Sequence, residues 1–208
     1  MSALAQWLGS PVFTLFGAAT SRVELIGFAT GGACVWLAAR VSVWNWPIGL
    51  VNNVAFFVLF LGTKLYADAG LQVVFFVLGV AGWAHWARGA TAEEPSPVLS
   101  MNGRDKTLLA IAEFLGFAGI GWLLVTASDS PTPLWDAALT TLSLLATWAQ
   151  IRKQWEMWLL WIATDVVSVP LYLHKHLALT ALLYCGFLAI CLYGLALWLR
   201  KARAAAPA

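Results

Sequence analysis

Slid along itself by about 112 residues, the sequence meets its own aromatic and basic positions again. Trp36 falls on Trp148, Arg40 on Arg152, Trp46 on Trp158 and Leu59 on Leu171. Further on, Leu71 falls on Leu183, Phe75 on Phe187, Gly82 on Gly194, Trp86 on Trp198 and Arg88 on Arg200. Glu24 pairs with Asp136 and Asn53 with Asp165. No gap is needed. Leucine matches are expected by chance in so apolar a chain, but tryptophan and arginine matches at one offset are not. The chain must therefore fold as two copies of one unit.

The copies consist of long apolar runs. At 208 residues, 61% hydrophobic and 11% charged, with a mean hydropathy of +0.79, the chain is a polytopic membrane protein rather than a soluble globule. Its 13 tryptophans suit a molecule with two water interfaces and leave some for a site. Residues 1–22, broken by Gly9, Ser10, Pro11 and Gly17, are read as an interfacial segment without the basic region or cleavage site of a signal peptide. Spans are expected near Val23–Ala39, Pro47–Gly62, from past Asp68 to Trp86, Thr107–Thr126, Leu134–Gln150, Trp155–Lys175 and Leu177–Leu199.

The expected fold is thus an all-α integral membrane protein of seven transmembrane helices in a parallel 3+1+3 repeat. Residues 23–88 form the first three-helix repeat, 89–133 a linker and connecting helix, 134–200 the second repeat, and 201–208 a basic cytoplasmic tail. Copies separated by an even number of spans run the same way through the bilayer. Transporters are often built so, with substrate near the midplane.

Orientation follows from Lys and Arg placement. With seven spans, one side holds only Arg22, Lys64 and Lys175. The other holds Arg40, Arg88, Arg104, Lys106, Arg152, Lys153, Arg200, Lys201 and Arg203. This bias puts the C-terminus in the cytoplasm and the N-terminus outside.

The stretch WEMWLLWIATDVVSVPLYLHK, Trp155–Lys175, carries Asp165 near its middle. A carboxylate at that depth costs at least ~2.5 kcal/mol on insertion scales, so it faces a cavity or a partner. Trp158, Trp161, Ser168 and Tyr172 share its helical face, and three rings beside a carboxylate can cradle a flat cationic ligand. The blander alternative is an Asp bonded to a neighbouring helix among packing aromatics. Pro170 frees the carbonyl of Val166 and marks a hinge.

The repeat extends this site. Asn53 stands where the second copy has Asp165, so both halves place a polar group at one depth of their middle helix. Gln72, Gly79 and Trp86 share a face of the third span, with Phe75, Phe76 and Trp83 beside it, and the copy offers Tyr184, Cys191 and Trp198. The substrate-binding candidates are Asn53, Gln72, Trp83, Trp86, Trp161, Asp165, Tyr172 and Tyr184. Thr140, Ser143, Thr147 and Gln150 form a polar stripe that serves cavity lining and helix packing equally well. Glu113 is read as a snorkelling or paired acid outside the site, and His85 as an interface residue.

Other chemistry is missing. The sequence has no GxxxxGK[ST] loop, HExxH, CxxC or GxSxG. Cys34, Cys185 and Cys191 lie in apolar runs and read as small core residues. His174 and His176 flank Lys175 at a loop, where solvent suits them better than a metal. No enzyme, cofactor or metal site is expected. A net charge of +2 without a run of alternating basic and aromatic residues excludes a nucleic-acid partner.

The strings WNWPIGLVNN, KLYADAGLQVVFF, GWAHW, RKQWEMWLLWIATDVVSV and KHLALTALLY resemble the PnuC-type vitamin transporters, from about Glu24 to Arg200. The resemblance implies a SWEET-like helix arrangement and facilitated diffusion of a vitamin, best known as nicotinamide riboside, trapped afterwards by a cytoplasmic kinase. It places the substrate ring among aromatic and amide side chains, matching Gln72, Trp83, Trp86 and Trp161. Some members carry asparagine where Gly79 and Asp165 stand here. Self-association is common among related transporters, so a homo-oligomer in the bilayer is allowed.

The leading expectation is a nicotinamide riboside uniporter of a bacterial-type plasma membrane, with a thiamine or other vitamin carrier as the alternative. An ionised Asp165 suits the fixed positive charge of either cation and gives no help to neutral riboflavin. A receptor would call for a larger soluble region, and a structural bundle has no need of Asp165 or Gln72 at depth.

Overall fold

The structure is a computed structural model and describes residues 7, 9–15, 18–62, 66–90, 97–128, 130–174 and 178–204. The chain divides into two compact units, Met1–Ser96 and Pro97–Ala208. Lys64, Lys175, His176, residues 91–96 of the linker and the end of the tail lie outside the described residues, as does the side chain of Glu24.

The first unit opens on an antiparallel hairpin of β1 (Pro11–Leu15) and β2 (Ala18–Ser21), paired Phe13 to Thr20 and Leu15 to Ala18, with an irregularity between Pro11 and Phe13. These strands depart from the all-α expectation. Val12, Phe13 and Thr14 are β-branched or aromatic, the types that favour a strand. Arg22, at the start of the first helix, ties the hairpin's entry to that helix. Its guanidinium donates to Ser10 Oγ and to the Trp7 carbonyl and lies 5.1 Å from the centre of the Trp7 ring.

The helices of the first unit include α1 (Arg22–Ala39), α2 (Asn45–Gly62) and α3 (Tyr66–Ala90). The second unit begins with α4 (Gly103–Ala127) and continues through α5 (Pro133–Ile151), α6 (Met157–His174) and α7 (Ala178–Ala204). Each helix packs on its sequence neighbour within its unit, so α2 and α6 are the middle helices. Among the described residues, α2, α3, α4, α6 and α7 are long and apolar enough to cross a membrane. The apolar part of α1 is shorter, Leu25–Ala39. Asp136, Thr140, Thr141, Ser143, Thr147 and Gln150 dilute the apolar character of α5.

Helix ends are set by local chemistry. Asn102 caps α4, its side chain accepting from the Asp105 N–H at 2.7 Å. Pro133 opens α5, where the missing N–H costs nothing, and Asp136 in the first turn accepts from Ser130 and Thr132. Pro170 lies inside α6, which continues through it.

The repeat seen in sequence is reproduced bond for bond in the turn after the first helix of each copy. Ser42 N–H reaches the Leu37 carbonyl at 2.9 Å and Val41 N–H the Ala38 carbonyl at 2.9 Å. In the second copy, Gln154 N–H reaches Ala149 at 3.0 Å and Lys153 N–H reaches Gln150 at 3.0 Å. This is a Schellman ending, which needs a left-handed residue just past the helix. Val41 (φ 59°) and Lys153 (φ 53°) supply it, without the glycine that would do so most easily.

A ring lock also recurs. Trp46 and Trp86 meet edge to face at 5.6 Å and 85°, and Trp158 and Trp198 at 5.8 Å and 88°. Gly82 and Gly194 make room for it. A Cβ at either position would lie 2.4 Å from the facing indole, so only glycine lets the middle and last helices approach this closely. Arg40 lies 5.2 Å from the centre of the Trp36 ring and Arg152 4.7 Å from that of Trp148.

Candidate functional site

The polar positions predicted from the repeat fall between the middle and last helix of each unit. In the first unit Asn53 of α2 and Gln72 of α3 line one cavity of about 200 Å³, with Val54, Phe57, Val73 and Phe76. Asn53, Val54 and Phe57 share a face by their spacing of one and four, and Gln72, Val73 and Phe76 do the same on α3. The wall that these residues present is almost wholly apolar. The neighbouring Asn52 points elsewhere, donating to Thr30 Oγ1 at 2.6 Å and to the Gly27 carbonyl at 3.4 Å on α1. Adjacent asparagines therefore have separate tasks, one holding α1 to α2 and one facing the cavity.

In the second unit Asp165 is 4% exposed and buried against α7 rather than turned outward. Cys191 of α7 lies beside its carboxylate, and Oδ2 has no hydrogen-bond partner. Ser168, one turn on and fully buried, lies beside Tyr184. Tyr184 stacks on Tyr172 at 5.1 Å and 25° and meets Phe187 edge to face at 5.8 Å. The spacing accounts for the meeting: Asp165, Ser168 and Tyr172 recur at three and seven on α6, and Tyr184, Phe187 and Cys191 at three and seven on α7. A buried carboxylate with an unsatisfied oxygen calls for a donor or a positive charge.

Asn53 and Gln72 thus come together, and so do Asp165, Tyr172 and Tyr184. Trp86 does not join them. It is 1% exposed and committed to the lock with Trp46. Trp83 is exposed on α3, Trp161 is half-buried on α6, and Pro170 is exposed. Ser168 and Cys191 are not among the sequence candidates, although the first shares the face of Asp165 and the second is the copy of Gly79. Their offsets from Asp165 and Tyr184 are the signal that could have found them.

Two polar features sit apart from these clusters. Glu113 of α4 accepts from Thr141 Oγ1 of α5 at 2.9 Å, which makes it a paired acid. In the expected stripe on α5, Thr147 returns its hydroxyl to the Ser143 carbonyl at 2.8 Å, the usual way a buried threonine is satisfied within its own helix. The residues before α4 are docked on the α5–α6 turn. Leu99 N–H reaches the Lys153 carbonyl at 2.9 Å and Trp155 N–H the Leu99 carbonyl at 3.1 Å. Glu156, 8% exposed, accepts from Met101 N–H and Ser100 Oγ at 2.9 Å each and pairs with Lys106 at 3.4 Å. Burial in this turn pushes the Lys153 ammonium below the ordinary lysine range.

Residues 21–200 match the family model described as nicotinamide mononucleotide transporter. The riboflavin/roseoflavin transporter RibM of Streptomyces davaonensis is 28% identical over 205 residues, covering 97% of this chain and 96% of that protein. The nicotinamide riboside transporter PnuC of Escherichia coli is 28% identical over 208 residues, covering 88% and 87%. A crystal structure of the vitamin B3 transporter PnuC superposes with a TM-score of 0.71 at 23% identity, covering 88% of this chain and 83% of that one.

Proposed function

Because the chain belongs to the nicotinamide mononucleotide transporter family, the PnuC-type vitamin transporters, we propose that it imports nicotinamide riboside by facilitated diffusion. The family consists of membrane transporters and not of enzymes. In this reading all seven helices span a bacterial plasma membrane, with the N-terminus outside and the C-terminus in the cytoplasm. Residues 23–88 and 134–200 act as the two repeats of an alternating-access carrier, with 89–133 as linker and connector. Pro170 supplies the bend.

The observation that carries the proposal is the pairing of polar positions by the repeat. Asn53 and Gln72 occupy one cavity, and their copies Asp165 and Tyr184 belong to one buried cluster. An amide pair suits the carboxamide of a nicotinamide ring, and a carboxylate suits its fixed positive charge. Thiamine shares that charge and is the nearest alternative. Neutral riboflavin is a second reading, favoured by the likeness to RibM over nearly the full length of both chains.

The test is uptake of nicotinamide riboside, thiamine and riboflavin by proteoliposomes carrying the purified protein, side by side. The riboside should enter fastest, without ATP or an ion gradient, and Asp165→Ala should abolish its entry while the protein still elutes folded. Preferential uptake of another vitamin would replace the substrate and keep the carrier. Uptake of none of the three would sink both.

A further inference from the structure

The two copies fasten their first helix to their middle helix by different means. In the first copy its own side chains do so. Asn52 Nδ2 donates to Thr30 Oγ1 at 2.6 Å, and the Cys34 thiol donates to the Asn45 carbonyl at 2.8 Å. In the second copy Thr30 and Cys34 become Leu142 and Ala146, whose side chains can neither donate nor accept. Thr164, the counterpart of Asn52, returns its hydroxyl to the Leu160 carbonyl of its own helix at 3.0 Å. There the fastening comes from α4 and the residues that lead into it. Leu99 meets the Lys153 carbonyl and the Trp155 N–H at 2.9 and 3.1 Å. Met101 N–H and Ser100 Oγ both donate to Glu156 at 2.9 Å. Met101 is 4% exposed, so losing that acceptor would leave a buried donor unsatisfied. The ion pairs Lys106–Glu156 and Asp105–Arg152 involve half-exposed cations and add little. Farther along, Glu113 of α4 accepts from Thr141 of α5 at 2.9 Å, and Gly116 packs so closely that a Cβ there would lie 2.9 Å from Thr141 Cγ2. Gly121, nearer the other end of α4, faces Ala137.

We propose that α4 is a splint for the second copy rather than an independent connector, so that α4 to α7 move as one body when the carrier changes state. This rests on the carrier reading above and adds to it which helices travel together. A rigid-body transition needs each moving part to be stiffer than the joint between the parts. The first copy is stiffened by bonds between its own helices. The second lacks those bonds between α5 and α6, and α4 spans the gap by holding α5 along its length and the α5–α6 turn at its leading end. The lock of Trp158 on Trp198 then joins α6 to α7.

Two measurements test this, and one is independent of transport. In native-state hydrogen exchange of the purified protein, the amides of α4 should open together with those of α5 and α6. Glu156→Ala should speed exchange roughly tenfold at the first turns of α4 and at the α5–α6 turn alike. Glu156→Gln keeps an acceptor oxygen for Met101 and Ser100 and should retain the protection. Opening of α4 by itself, with α5 and α6 still closed, overturns the splint. The second measurement is nicotinamide riboside uptake by proteoliposomes carrying Gly121→Cys with Ala137→Cys. A Cβ at Gly121 would stand 3.7 Å from that of Ala137, a distance at which a disulfide closes without moving the backbone. Oxidised and reduced protein should take up the riboside at rates within about twofold of each other, because the bond joins helices that already move together. A block on oxidation that a reductant reverses shows α4 sliding on α5 during the cycle and overturns the proposal. If wild-type protein takes up none of the three vitamins, the carrier reading fails and the proposed motion with it, and the exchange pattern alone then decides whether α4 splints the second copy.

Discussion

The two copies agree where the backbone is constrained and differ at the polar positions between their middle and last helices. The turn after the first helix repeats its pair of Schellman hydrogen bonds, and the tryptophan lock repeats its distance and angle within 0.2 Å and 3°, as 5.6 Å and 85° become 5.8 Å and 88°. Glycine recurs at Gly82 and Gly194 because any side chain would overlap an indole. Between the same helices, Asn53, Gln72 and Gly79 have become Asp165, Tyr184 and Cys191.

A second difference lies at the turn. In the first copy Trp44 is 65% exposed, whereas its counterpart Glu156 is 8% exposed beneath the docked residues that precede α4. Among the described residues, a docked segment meets this turn in the second copy. There Val41, Ser42 and Trp44 give way to the buried Lys153, Gln154 and Glu156.

The largest effect should come from filling the lock. Gly82→Leu and Gly194→Leu should each destabilise their own unit by about 3 kcal/mol or more through overpacking, read as a fall in the unfolding temperature in detergent. If one copy tolerates leucine, the locks are not equivalent. Making the proposed substrate-binding positions alike should have the next largest effect. Asp165→Asn should weaken binding of the cationic substrate by about 1.5–3 kcal/mol, read by calorimetry, with little change in stability. A full-affinity Asn variant would mean that the charge difference between the copies has no bearing on the ligand.

Removing the docking contact comes third. Glu156→Ala should cost about 1–3 kcal/mol locally and speed amide exchange at residues 97–106, leaving the turn of the first copy at Val41–Trp44 unaffected. The smallest change should be a gain. Val41→Gly removes a β-branched residue from the left-handed region and should stabilise the protein by up to about 1 kcal/mol, visible as a slightly higher unfolding temperature. A loss of stability there would show that the valine side chain matters more than its backbone strain.

The sequence alone determined the apolar helices, their number and the pairing of the two copies. These rest on composition and spacing, which act along the chain and need no partner to be read. It also matched Asp165 to Asn53 and Tyr184 to Gln72, because one sequence offset carries each position of the first copy onto the second. The tertiary structure decided which neighbours those groups have. Trp86 packs on Trp46 instead of joining Gln72, and residues before α4 seat on Glu156. The strands at Pro11–Ser21 belong to the same class. Such outcomes depend on side chains meeting across helices or strands, and no local pattern records which face of one element another will cover.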